Sequence, residues 1–99
     1  IVHCPMESIA EGLATGSGYA YTQEILREML DDFILVSDTE IAKSVVLHLE
    51  NTHNLAEHAG AASLAAALKI KDQLVGKNVV LILSGGNITL KQLRVALET

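Results

Sequence analysis

Ninety-nine residues, 49% hydrophobic and 19% charged, make one domain at most and exclude a disordered chain. Aromatics reach only 3%, so the core must be aliphatic and alanine-rich, burying little area per residue and giving modest stability alone. A net charge of −5 without a lysine or arginine cluster, and without an apolar run of spanning length, argues against nucleic acid and membranes as partners; the single cysteine, Cys4, excludes an internal disulfide and fits a reducing compartment.

The chain opens on Ile1 with no signal-peptide pattern, so a cytoplasmic location is expected. Either it is cut from something longer or its start was processed or replaced, with Met6 an alternative start. Ile1 to Pro5 is β-prone and reads as an edge strand or an extended arm. Glu7 to Tyr21, with Gly12, Gly16 and Gly18, reads as a short helical turn and a loop. Thr22 is placed to cap a helix over Gln23 to Asp31, with Ile25, Leu26, Met29 and Leu30 as its apolar stripe. Phe33 to Val36 is a short β-rich run. Ser37 and Glu40 have the spacing of a capping box, opening a helix to about Leu49 with Ile41, Val45, Val46 and Leu49 inward.

After the polar break Asn51 to Asn54, Leu55 to Leu74 is dense in alanine, the best helix former, and Gly76 suits the position just past a helix end. Asn78 to Leu83 is a buried-strand pattern that stops at Ser84-Gly85-Gly86-Asn87. Thr89 and Gln92 form a second capping box for a last helix with Leu90, Leu93 and Leu97 on one face. The order (β)αβααβα predicts an α/β fold, a small parallel sheet with helices packed on it. Two convincing strands are too few for a self-sufficient sheet. Residues 1–21 read as an N-terminal arm and loop, and residues 22–99 as the α/β part.

A strand, Ser-Gly-Gly-Asn and a helix start can present backbone N–H groups to an anion; the plain alternative is a tight turn. Glu57 opens the alanine-rich helix, where a carboxylate is ordinary dipole compensation. Its functional alternative is an acid beside a ligand, with Gly60 permitting close backbone approach. His48, His53 and His58 recur every fifth residue, which places neighbours on different helix faces, so no metal site is expected and surface or interface histidines are. Cys4 has no Asn or Asp arranged to orient a base, so no nucleophile is assigned. Glu24, Glu28, Asp31 and Asp32, with Arg27 among them, read as a solvated helix face and its end.

Four segments, in order, resemble the C-terminal part of the threonine dehydratase (threonine ammonia-lyase) family, pyridoxal-phosphate enzymes of the tryptophan-synthase-β-like fold with serine racemases as close relatives. They are Ser8-Ile9-Ala10-Glu11-Gly12-Leu13-Ala14, Asp31-Asp32-Phe33-Ile34-Leu35-Val36-Ser37 followed by Glu40-Ile41, Leu55-Ala56-Glu57-His58-Ala59-Gly60-Ala61-Ala62, and Val79 to Asn87. Ser8 and Glu11 replace the family's threonine and aspartate, and His58 stands where relatives often carry proline, glycine or another small residue.

The resemblance implies an incomplete piece of the family's large domain. It assigns Ser84 to the pyridine nitrogen of pyridoxal phosphate, with Gly85 beside it and Glu57 at the pocket edge. A neutral hydroxyl there avoids enforcing a pyridinium and tempers the electron sink. It also implies a lysine that holds the cofactor and a glycine-rich phosphate loop. Lys43, Lys69, Lys71, Lys77 and Lys91 match no such lysine motif, so no catalytic residue is assigned. The expectation is a C-terminal fragment or truncated relative of a threonine/serine dehydratase, inactive and without cofactor alone. It is expected to self-associate, or to be completed by an N-terminal segment carrying the lysine. The rival expectation is a non-catalytic self-associating or partner-binding module.

Overall fold

The computed structural model describes residues 3–99; Ile1 and Val2, the first residues of the expected edge strand or arm, lie outside the described residues. Four α-helices carry the fold: α1 (Ala20–Met29), α2 (Asp38–Thr52), α3 (His58–Lys69) and α4 (Leu90–Glu98). Two 3-10 turns, Glu11–Leu13 and Lys71–Gln73, complete the regular structure among the described residues. The molecule measures 37 × 36 × 18 Å, and that thickness accommodates two helix layers at the usual 8–10 Å spacing.

Both capping boxes form. Ser37 Oγ accepts from the Glu40 N–H at 3.1 Å while Glu40 accepts from the Ser37 N–H at 2.7 Å, and Thr89 and Gln92 repeat the arrangement at α4. These interactions satisfy amides that a helix start otherwise leaves unpaired. The hydrogen bond from the Ser37 N–H, with help from Lys69 at 3.6 Å, holds the Glu40 carboxyl below its ordinary value against a smaller opposing desolvation. α2 runs past Leu49 to Thr52 and ends on His53 in the left-handed region (φ 56°), whose N–H reaches the His48 carbonyl. Thr22 caps nothing; α1 begins earlier, and the Thr22 hydroxyl donates to the Tyr19 carbonyl at 3.0 Å.

The expected parallel sheet is absent: no strand forms among the described residues. A strand exists only by pairing, and among the described residues no backbone–backbone hydrogen bond reaches residues 31–36 or 78–84. Each run is instead tied to α3 by a side chain. Lys69 Nζ donates to the Leu35 carbonyl at 2.7 Å, and Ser63 Oγ donates to the Ile82 carbonyl at 2.8 Å. Some apolar side chains of these runs face solvent, Phe33 at 73% exposure, Val80 at 85% and Ile82 at 70%, while Val36 and Leu83 are part-buried against the core clusters. The strands expected at Phe33 to Val36 and Asn78 to Leu83 do not form, because β-rich composition does not supply the neighbouring strand that a ladder requires.

Packing rests on small residues. Ala42, Val45, Ala56, Ala61 and Ala96 form one buried cluster, flanked by Val46, Leu83, Ile88 and Leu93. A second joins Ala10, Ile41 and Ala65. Val45 is the largest fully buried side chain, so the area-proportional gain from burial is modest. α4 meets the core through Ala96 and, of the expected leucine face, through Leu93 alone, since Leu90 and Leu97 are exposed. α3 is shorter than the alanine-rich stretch: it stops at Lys69, and Gly76 takes its positive φ of 75° in open space beyond the second 3-10 turn.

Candidate functional site

The start of α3 gathers the segments that the sequence singles out. Ser8 donates to Asp38 Oδ1 at 2.6 Å and the Ile9 N–H to Oδ2 of the same carboxylate. These bonds dock the Ser8–Gly12 segment on the first turn of α2. Ala10 is fully buried, and a Cβ on Gly12 would press on the Ala59 methyl at 2.9 Å. Glu11 accepts from the Gln92 amide at 3.3 Å, joining this segment to α4.

The Ser84–Asn87 turn lies directly on α3. The Glu57 N–H donates to the Gly85 carbonyl at 3.0 Å. A Cβ on Gly60 would collide with the Gly85 carbonyl oxygen, and one on Gly85 with the Glu57 carboxylate. Helix and turn therefore touch backbone to backbone, a distance only glycine permits. The expectation that Gly60 allows close approach is met, with the turn itself as the partner. Gly86 is closed on its own side by the Leu55 carbonyl.

Of the residues assigned by resemblance, the structure brings Gly85 and Glu57 into contact and leaves Ser84 exposed beside them. Glu57 is half-buried at the N-cap of α3 and makes no side-chain capping bond. An exposed hydroxyl beside two side-chain-free residues, backed by a carboxylate, suits the edge of a flat aromatic ring bearing a nitrogen. That donor set fits pyridoxal phosphate at its ring and offers no cluster of cations for its phosphate.

The histidines depart from expectation. His53 is exposed, but His48 and His58 are buried, at 9% and 4% exposure. Neither His48 nitrogen has a partner, nor has His58 Nε2. Helical spacing alone does not reveal this, because their burial comes from contacts remote in sequence. Among the described residues no three His, Cys, Asp or Glu side chains converge on a metal position, and Cys4 is exposed. No helix among them is long and apolar enough to cross a membrane.

Comparison with known proteins places these features in context. The pyridoxal-phosphate dependent enzyme family matches residues 2–85. An L-threonine ammonia-lyase of Geobacter sulfurreducens is 38% identical over 99 residues, covering 99% of this chain and 25% of the relative. An L-threo-3-hydroxyaspartate ammonia-lyase of Saccharomyces cerevisiae is 40% identical over 86 residues, 87% of this chain and 26% of the relative. A serine racemase of Schizosaccharomyces pombe is 33% identical over 93 residues, 93% of this chain and 29% of the relative. The chain thus spans about a quarter of the length of the relatives it matches.

Proposed function

This chain belongs to the pyridoxal-phosphate dependent enzyme family, and from that premise we propose that it is the C-terminal portion of a threonine or serine dehydratase, building one wall of the cofactor site. The observation that carries the reading is the glycine turn locked onto α3 with Ser84 left exposed at its edge. Ser84 would meet the ring nitrogen with a neutral hydroxyl. Gly85 and Gly86 leave the turn free of side chains, and Glu57 stands at the edge. When bound, pyridoxal phosphate supplies the electron sink for charge developing at the substrate α-carbon.

What this chain contributes is orientation. Ser84 fixes the nitrogen end of the ring, and the contact of Gly60 with Gly85 prevents the turn from drifting. The proposed parent reaction converts threonine or serine to a 2-oxo acid and ammonia in the cytoplasm. The lysine and the phosphate loop are assigned to a complementing N-terminal segment, and the chain alone is expected to be inactive. The unpaired, exposed runs around Phe33 and Val80 suit the strands of such a segment. The same runs favour a second reading, a self-associating module, because unpaired apolar strand edges invite pairing between copies.

The test mixes this chain with the N-terminal portion of a threonine ammonia-lyase that carries the lysine and glycine-rich loop, in the presence of pyridoxal phosphate. The expected result is a visible absorbance band of lysine-bound cofactor and threonine-dependent ammonia release in the mixture only, both reduced by Ser84→Ala. A mixture that stays colourless while this chain sediments as a discrete oligomer overturns the first reading in favour of the second.

A further inference from the structure

A groove of about 250 Å³ opens between α2 and α3. Glu40, Lys43, Ser44 and Leu47 form its α2 wall, and Ala65, Leu68 and Lys69 its α3 wall. Spacings of three and four residues put each set on one helix face. The hollow follows from side-chain size. Ala65, buried in one cluster with Ile41, is too short to fill the space between Leu47 and Leu68. None of Glu57, Ser84 and Gly85 lines the groove, so it is separate from the proposed cofactor wall.

The polar groups of the groove are engaged with the protein itself, Lys43 excepted. Ser44 is fully buried, and its hydroxyl donates to the Glu40 carbonyl at 3.0 Å. The Glu40 carboxylate accepts from the Ser37 N–H at 2.7 Å and lies 3.6 Å from the Lys69 ammonium. Lys69 in turn donates to the Leu35 carbonyl at 2.7 Å. Lys43 is exposed, and among the described residues it has no carboxylate partner, since the ion pair found there joins Lys69 to Glu40. Two ammonium groups against one carboxylate leave a positive charge at the rim of an apolar trough.

This charge and this lining discriminate among ligands. A cation drawn to Glu40 would face both ammonium groups. A neutral alkyl compound would fill the trough and leave Lys43 without a counter-charge. A compact anion such as phosphate would meet Lys43 and leave Leu47, Ala65 and Leu68 wetted. At about 30 Å³ for each water-sized group, the groove holds about eight of them. We propose that it binds a short straight-chain aliphatic carboxylate of that size, a six-carbon acid with its two oxygens. The carboxylate pairs with the Lys43 ammonium, and the alkyl chain lies over Leu47, Ala65 and Leu68.

The test is a heteronuclear NMR titration of the chain without cofactor, with hexanoate as the probe and butyrate, 1-hexanol and hexylammonium as comparisons. Saturable shifts are expected at residues 43–47 and 65–69 with hexanoate. Butyrate should bind more weakly by about two- to fourfold for each methylene removed, the value of a half- to fully buried methylene. Hexanol should bind more weakly by about three- to fivefold, the worth of an exposed ion pair, and hexylammonium more weakly still. Lys43→Gln, at an exposed position, should weaken hexanoate to the level of hexanol with helical circular dichroism unchanged, and Lys43→Arg should retain binding. Lys43 and Leu47 also border a second apolar groove with Ala96 and Leu97, so shifts centred on residues 96–99 would place the ligand there and overturn the proposal. So would the lack of any saturable shift, hexylammonium binding as tightly as hexanoate, or Lys43→Gln leaving hexanoate binding unchanged. None of these outcomes depends on the cofactor reading.

Discussion

Replacing Gly60 by alanine tests the contact on which the site is built. In an exposed helix the change would gain about 1 kcal/mol of helix propensity. Here the new methyl would overlap the Gly85 carbonyl oxygen and lie 3.0 Å from the Gly85 nitrogen. Both obstacles are backbone, so no side chain can rotate away; the turn itself must retreat by about 1 Å to reach ordinary contact. Overpacking of this kind costs about 1–3 kcal/mol. The retreat also stretches the Glu57 N–H bond to the Gly85 carbonyl, now 3.0 Å, worth about 0.5–1.5 kcal/mol net. Set against the propensity gain, the expected loss is about 2 kcal/mol, or roughly 8–16 °C in midpoint for a domain of this size. Urea unfolding followed by circular dichroism measures it. An alanine variant as stable as the parent, or more so, would refute the claim that α3 and the glycine turn meet backbone to backbone.

Both His48 nitrogens are buried without partners, so His48→Leu removes an uncompensated desolvation of about 1–3 kcal/mol and should raise the urea midpoint; a clear loss of stability would mean that the imidazole is paired. Ile41→Ala, in the second core cluster, should cost about 2–5 kcal/mol in the same assay, and a smaller effect would place Ile41 at the surface. Because the Glu40 carboxyl is held below its ordinary value of 4.5, its contribution is present above that pH and is lost as the pH falls through the lower folded value. Glu40→Gln should therefore flatten the acid limb of the stability profile below about pH 4.5, and an unchanged limb would sink the assignment. Val80→Lys with Ile82→Lys should reduce concentration-dependent association in sedimentation; a parent chain that is a compact monomer at high concentration removes the basis for self-association.

The features legible in the sequence were those decided within a few residues. Ser37 with Glu40 and Thr89 with Gln92 needed only spacing, and both boxes formed. Gly60 was legible as a point of close approach because glycine has no Cβ, though the sequence reading set it beside a ligand and the structure sets it against the Gly85 backbone. The sheet was not: Phe33–Val36 and Val79–Leu83 have strand composition, but composition does not supply a neighbouring strand. Burial of His48 and His58 was also hidden, since polar residues at fivefold spacing read as surface. At α4 the leucines were over-weighted. The small residue Ala96 fits a crowded seam that Leu90 and Leu97 do not enter. The candidate cofactor residues came from ordered motifs, and the structure added the contact that joins Glu57 to Gly85.

The ten residues of α1 include none that is buried. A helix that short is marginal in water without a packed face, and its cap residue Tyr19 supplies no side-chain bond. Heating should therefore melt α1 well ahead of the α2–α3 pair, which holds most of the buried residues. The ellipticity would fall first along a gentle slope and then through a steeper main transition, so that a single midpoint describes only the second. Amide hydrogens of α1 would exchange on a timescale set by local fraying, while those around Val45 would await the main transition.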